Sequence, residues 1–329
     1  MARQEFSRVG VVIIGRNEGD RLGMCLRSIV GCFETAVYVD SGSTDGSVLA
    51  ATRAGCDVIE LDMSTPFTAA RARNLGFDLL LKLRPDIQLV HFIDGDCELA
   101  VGWIDKAVKF MEAHPKVAIV CGRRREREPG QSVYNMLCDL EWNTPIGEAT
   151  SCGGDALVRI SSFKEIGRFR PDVIAGEEPE LCVRLRAAGW RVWRLDEEMT
   201  IHDAAMTRFS QWWRRAVRCG YAFAQGAHLH GAAPERHFVR ESRRAWLWGI
   251  WLPIACLVAG LAFGPWGWAT LLIFPLQALR LAMRNAGTLR QRAQVAIFQV
   301  LARFPEVVGQ MKFLRDRLFQ RQTVIIEYK

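Results

Sequence analysis

The residues best suited to chemistry fall in a few short acidic clusters. Asp94-Gly-Asp96 places two carboxylates two residues apart, directly after the apolar run Gln88 to Ile93. Carboxylate oxygens at that spacing suit Mg²⁺ or Mn²⁺, and an ion held there would also take up a diphosphate. Asp40-Ser-Gly-Ser-Thr-Asp-Gly46 and Gly15-Arg-Asn-Glu18 follow two other apolar runs. Each cluster alone reads equally well as a turn or a helix N-cap. Three of them after three apolar runs call for a cation or donor groups to offset the charge. Neither a Gly-x-x-x-x-Gly-Lys-Ser/Thr loop nor a Gly-x-Gly-x-x-Gly follows the first run, so a metal is the expected partner of any phosphate. Glu177, Glu178 and Glu180 open the stretch Gly176 to Gly189, which reads as a helix. The helix dipole should keep carboxylates ionised in its first turn, as deprotonation of a hydroxyl nucleophile requires.

The elements that must position these residues alternate. Val9 to Ile14 is apolar without a period, the pattern of a strand buried on both faces. A helix over Asp20 to Val30, a strand over Ala36 to Val39, a helix over Gly46 to Ala54 and a strand over Asp57 to Leu61 follow. Thr68 to Leu83 is helical and stops at Pro85, Gln88 to Ile93 is a strand, Trp103 to Ala113 a helix, and Val117 to Val120 and Arg191 to Leu195 strands. Such alternation predicts an α/β domain, a mainly parallel sheet with helices on both faces. Ligands then bind beyond the carboxyl ends of the strands, where the acidic clusters fall.

The set Ile14-Gly-Arg-Asn-Glu18, Asp40-Ser-Gly-Ser-Thr-Asp-Gly46, Ala70-Arg-Ala-Arg-Asn-Leu-Gly76, Asp94-Gly-Asp96, Gly153-Gly154 and Gly176-Glu-Glu-Pro-Glu-Leu-Cys-Val-Arg184 resembles family 2 glycosyltransferases of the Rossmann-like GT-A fold, over residues 9 to about 202. The resemblance implies a nucleotide-sugar donor, usually a UDP-sugar, and a divalent metal, Mn²⁺ or Mg²⁺. It implies that Asp40 recognises the base, that Asn17 and Glu18 line the nucleotide pocket with Arg16, Arg73 and Asn74 as further donor contacts, that Asp94 lies near the ribose, and that Asp96 holds the metal on the diphosphate. Asp94 and His202, in Thr200-Ile-His-Asp203, are further metal candidates; His202 equally reads as structural. The family pattern Glu-Asp-x-Glu-Leu appears here as Glu177-Glu178-Pro179-Glu180-Leu181, so the base falls to Glu178, one methylene longer than Asp, or to Glu177. Ser210-Gln-Trp-Trp-Arg-Arg215 is an altered form of the Gln-x-x-Arg-Trp element of processive synthases, and Arg215 is carried as a diphosphate contact.

The second part of the chain differs in composition. From Met206 onward there are 18 Lys/Arg against 5 Asp/Glu, and the first 205 residues hold 25 against 31. A basic half of this kind suggests an anionic surface as partner. Ala245 to Leu279 is 35 residues without one Asp, Glu, Lys or Arg, which favours lipid over nucleic acid. Arginines flank both ends and Gly264-Pro-Trp-Gly267 interrupts the middle, so a hairpin that spans or only enters the bilayer is expected, with both ends in the cytoplasm. The predicted divisions are a catalytic domain over 1–205, basic connecting helices over 206–244, the hairpin over 245–283 and a basic amphipathic segment over 284–329. That last segment is expected either on an anionic leaflet or packed on the protein. Ten cysteines without a paired spacing read as thiols in a reducing compartment. Val9 to Ile14 is too short for a signal core, which gives the same cytosolic expectation.

The sequence thus predicts an inverting, metal-dependent transfer of a sugar to a hydroxyl of a lipid-linked glycan, for an exopolysaccharide or envelope glycan, at the inner membrane. The acidic run 177–180 favours that acceptor over a polyprenyl phosphate, which is already anionic and needs no base. Asp94-Gly-Asp96 argues against a non-catalytic membrane scaffold. The identity of the sugar and oligomeric state are not legible.

Overall fold

The computed structural model describes residues 8–320. The chain divides into two compact units between Ala205 and Met206. In the first, one sheet carries the strands β1 (Val9–Gly15), β2 (Ala36–Asp40), β3 (Asp57–Glu60), β4 (Leu89–Asp94), β5 (Cys97–Leu99), β6 (Val117–Glu126), β7 (Gly147–Ala149), β8 (Ala156–Arg159) and β9 (Arg191–His202). Their order is 3-2-1-4-8-6-9-5, with β7 on β9. The half made of β3, β2, β1 and β4 is parallel, as the unbroken apolar runs predicted. Beyond β4 the sheet is mixed: β8 is antiparallel to both neighbours, β6 and β9 are parallel to each other, and β5 and β7 run antiparallel to β9.

The core follows from the strand composition. Val11, Val12, Ile13, Val37, Val39, Val90 and Ile93 are fully buried, as strands covered on both faces require. The helices α1 (Asp20–Ile29), α2 (Ser47–Arg53), α3 (Ala69–Leu83), α4 (Trp103–Ala113), α5 (Val133–Glu141), α6 (Ile160–Glu165) and α7 (Glu177–Ala187) connect the strands. Thr68 caps α3 by accepting from the Arg71 amide, and Ser132 caps α5 by accepting from Asn135. β6 and β9 run well past the expected Val120 and Leu195. Their polar second halves, Arg123–Glu126 and Glu198–His202, pair with each other across register shifts that a reading by apolar period misses. His202 is therefore the last residue of β9 and does not lie in a loop after it.

The second unit is helical: α8 (Phe209–His230), α9 (Val239–Phe263), α10 (Pro265–Trp268), α11 (Ile273–Arg284), α12 (Leu289–Leu301) and α13 (Arg303–Leu318). Helix α9 includes a π-turn over Leu247–Trp251. It is the one helix among the described residues long and apolar enough to cross a bilayer. The chain reverses at Gly264 as expected, but the return arm is broken into α10, a 3₁₀ turn over Ala269–Leu272, and α11. In the segment 294–319 the break falls at Ala302, and Pro305 sits in the first turn of α13, where its missing N–H costs nothing. Helices α8 and α13 meet backbone to backbone: a Cβ at Gly220 would strike Glu306, and one at Gly309 would strike Val217.

Candidate functional site

Three neighbouring strand ends open the site. Gly15 of β1 is in register with Asp40 of β2, and Ile14 with Asp94 of β4, so their following loops share one edge. Asn17 adopts a left-handed backbone (φ 54°), which Asn tolerates better than most residues. Its N–H donates to Ser43 Oγ at 2.9 Å and its Oδ1 accepts from Thr44 N at 2.7 Å, tying the first loop to the second. Gly19 N donates to Asp45 at 2.9 Å. Asp40 is buried and accepts from Gly42 N (3.0 Å), Ser43 N (2.7 Å) and the Tyr38 hydroxyl (3.0 Å), so its carboxylate orders its own loop. Glu18 pairs with Arg21 at 2.9 Å, and Arg16 is exposed on the same loop.

Arg73 forms the centre. Helix α3 buries it, and its guanidinium reaches Asp94 at 2.8 Å, Glu178 at 2.9 Å and Glu177 at 3.0 Å. Gly154 closes this cluster because only hydrogen fits there. A Cβ would stand 2.6 Å from Arg73 Nη2, 2.8 Å from Asp94 Oδ2 and 3.2 Å from Glu178 Oε1. Burial pushes the Asp94 carboxyl up, but Arg73, Arg124 and His202 outweigh it and hold the group well below the usual carboxylate range. Glu178 goes the other way. Burial, joined by the adjacent charge of Glu177, raises its carboxyl to about 7 against the pull of Arg73. The first-turn dipole was expected to keep this group ionised; the desolvation of a 14 % exposed side chain overcomes it.

Asn74 and Glu180 serve the scaffold. The Asn74 amide donates to Phe169 O at 2.8 Å and accepts from Phe169 N at 3.2 Å. Glu180 is buried against Arg184 at 2.7 Å, and Arg184 in turn donates to the carbonyls of Ile166 and Arg168.

Asp96 and His202 form a second focus. Pairing of β5 with β9 puts Cys97 opposite His202, which brings Asp96 Oδ2 to 3.2 Å from His202 Nε2. Both side chains are almost fully buried. Two acceptor atoms that close need a proton or a cation between them, and Asp96, Cys97 and His202 offer ligand atoms within 4.8 Å of one another. A carboxylate with an imidazole suits Mn²⁺, and the neighbouring thiol is dispensable to such a set. The residues present therefore fit a divalent ion. Asp94, the other metal candidate, offers a ligand atom within 4.8 Å of those of Cys97 and Asp155, while its carboxylate also pairs with Arg73 at 2.8 Å and Arg124 at 3.5 Å.

Four residues here escaped the sequence reading. Asp155 is wholly buried and accepts from Asp94 N (3.1 Å), Thr200 Oγ1 (2.6 Å) and Arg124 (2.9 Å). Arg124 also lies over Trp142 at 5.6 Å, and Trp142 meets His202 edge to face at 4.7 Å. Glu126 is buried beside His202. The available signals were a charged residue entering the apolar strand Ala156–Val158 and the two-residue spacing of Arg124 and Glu126. Arg215 lies half-buried in α8 of the second unit.

A parallel half-sheet continued by a mixed half, with acidic loops at the carboxyl ends, defines a GT-A nucleotide-sugar fold. Residues 10–167 match the family model described as Glycosyl transferase family 2, so the chain carries a glycosyltransferase family 2 domain. A mannosyltransferase from Pyrobaculum calidifontis, solved in complex with GDP-Man and Mn²⁺, shares the fold with a TM-score of 0.66 at 22% identity, over 94% of this chain and 88% of that one. Glucosyl-3-phosphoglycerate synthase from Mycobacterium tuberculosis, in complex with Mn²⁺, UDP-Glc and phosphoglyceric acid, gives a TM-score of 0.49 at 16% identity, over 69% and 81% of the two chains. A TPR repeat-containing protein of Synechococcus elongatus is 26% identical over 143 residues, 43% of this chain. The match spans 33% of that relative's length.

Proposed function

We propose that the chain is an inverting, metal-dependent glycosyltransferase that moves a sugar from a nucleotide-sugar, in the first instance a UDP-sugar, to a hydroxyl of a lipid-linked glycan. The observation that carries this reading is the Arg73 bridge, which joins Asp94 on the donor side to Glu177 and Glu178 on the acceptor side. Glu178, with its carboxyl at about 7, is poised to take a proton near neutral pH. In that step the acceptor oxygen bonds to the anomeric carbon, its proton passes to Glu178, and the nucleoside diphosphate leaves from the opposite face. Asp96 and His202 would hold the divalent ion, which when bound supplies counter-charge to the leaving diphosphate. Asn17, Glu18 and Asp40 shape the loops that would receive the nucleotide, with Arg16 exposed beside them.

The second unit supports action at the cytoplasmic face of the inner membrane. Ile254, Leu257, Val258, Leu261, Phe263 and Trp266 of the hairpin are all exposed, which water alone does not favour. The apolar part of α9, Ala245–Phe263, is roughly 28 Å long at about 1.5 Å per residue. The apolar part of the return arm, 265–279, is roughly 25 Å even with its pieces end to end. A bilayer core is about 30 Å thick, so each arm comes close to its thickness and the hairpin would return both of its ends to one side. Flanking arginines, with Arg315 and Lys312 on α13, suit anionic lipid. Exopolysaccharide or envelope glycan synthesis is the process this placement serves.

The test is nucleotide release from a panel of nucleotide sugars in lipid vesicles with a polyprenyl-linked saccharide, with Mn²⁺ or EDTA. Release with one donor that stops with EDTA, and falls to background in Asp96→Ala, is expected. Wild-type turnover by Asp96→Ala would overturn the metal assignment.

A further inference from the structure

Among the described residues, several inward-facing acids of the first unit have arginine partners. Asp94 has Arg73, Asp155 has Arg124, and Glu180 has Arg184. Glu126 is equally buried, its side chain wholly out of solvent, and among the described residues its ion pair is with His202 alone. Its Oε1 accepts from Asn135 Nδ2 at 3.1 Å and from Glu128 N at 3.3 Å, and its Oε2 accepts from Ala204 N at 3.0 Å. These neutral donors fix the carboxylate in place without a full opposing charge, and an uncompensated buried carboxylate is costly.

His202 has the matching deficit. Its Nδ1 is buried without a hydrogen-bond partner, and the nearest carboxylate oxygen is Glu126 Oε2 at 3.9 Å. Glu126 and His202 are partners in the β6–β9 ladder, where Arg127 N donates to His202 O at 2.8 Å, so both side chains leave the sheet at one level. Trp142 holds the ring edge to face, and Nε2 is directed at Asp96. Closing the gap to hydrogen-bond length takes about 1 Å.

We infer that Glu126 is the positioning residue of the metal pair: it receives the Nδ1–H of His202, fixes the tautomer that leaves Nε2 free for a divalent cation, and supplies negative charge through the ring. Imidazole ligands to metals commonly donate their second nitrogen to a carboxylate in this way, and losing that partner costs roughly 10–100-fold in metal affinity. The inference rests on the proposed metal site at Asp96 and His202, and Asn135 completes it by holding Oε1.

The experiment uses the full chain in detergent micelles with Mn²⁺ alone, bound ion being read from loss of the free Mn²⁺ paramagnetic resonance signal. Wild type should bind, Asp96→Ala should not, and Glu126→Gln should raise the dissociation constant by roughly 10–100-fold while circular dichroism stays unchanged. Should Glu126→Gln fail to fold, the nitrogen-15 shifts of His202 in wild type titrated with Mg²⁺ decide instead. A proton on Nδ1 with Nε2 engaged supports the assignment. Unaltered affinity in a folded Glu126→Gln, or a proton on Nε2 with the ion present, overturns it. Equal Mn²⁺ binding by wild type and Asp96→Ala would remove the metal site itself, a separate result.

Discussion

The two units handle polarity in opposite ways. At the strand-end edge of the first, charges go inward: Asp94, Asp155, Glu177 and Glu178 gather around Arg73 and Arg124 and pair with them over distances near 3 Å. In the second, α13 buries Glu306, Gly309 and Gln310, with Ser242 donating to Gln310 at 2.7 Å, and turns Val308, Met311, Leu314 and Leu318 outward. The first pattern is that of a charge cluster built inside a sheet domain. The second is a helical unit that exposes an apolar face among the described residues. A buried charge network is tolerated only where each member has a partner, and an exposed apolar face of this size only where something other than water meets it.

The comparison breaks first at Glu178. As a base it acts on the chemical step, and general-base catalysis is worth ~10²–10⁴-fold, so Glu178→Gln should lower kcat by that factor with donor affinity nearly unchanged. Glu178→Asp should fall between Gln and wild type. A dead Glu177→Gln beside an active Glu178→Gln would move the base by one residue. The next effect is on stability. Arg73 is 3 % exposed and holds three carboxylates, and Arg73→Met leaves them facing one another. Loss of one partner of a buried pair costs about 3–5 kcal/mol, measurable by chemical denaturation of the unit; a change under about 1 kcal/mol would show that the network is not coupled. The second unit is probed by Leu257→Arg, for which insertion near the bilayer centre costs about 2.5–3.5 kcal/mol. The variant should shift measurably from vesicles to supernatant in flotation, whereas Lys109→Arg in the first unit should not. Equal flotation of both would place Leu257 outside the lipid.

The sequence made the parallel half-sheet legible because Val9–Ile14 and Gln88–Ile93 have no polar face to misplace. It concealed the mixed half for two physical reasons. β5, β7 and β8 are three or four residues long, too short for a period to register. The outer parts of β6 and β9 are polar, and only their mutual pairing makes them strands. The site divides along the same line. Asp40, Asp94, Asp96 and the acidic helix start were readable because each follows a recognisable element. Arg124, Glu126 and Asp155 acquire meaning only from tertiary partners, and one-dimensional spacing does not name those. The helix dipole argument for Glu178 failed because it weighed local sequence and ignored the desolvation imposed by neighbours about 100 positions away, as the Arg73–Glu177 contact illustrates.

The central claim is that the acceptor's proton passes to Glu178 within the Arg73 cluster, and the pH dependence of kcat tests it most directly. The folded-state carboxyl is raised to about 7, so the base is protonated and idle below that pH and ionised above it. Measured with saturating donor and Mn²⁺, kcat should rise tenfold per pH unit on the acid side and level off above about 7. Glu178→Gln should be slow at every pH and lack that limb. A wild-type rate flat from pH 5 to 8, or the same limb retained in Glu178→Gln, would contradict the account.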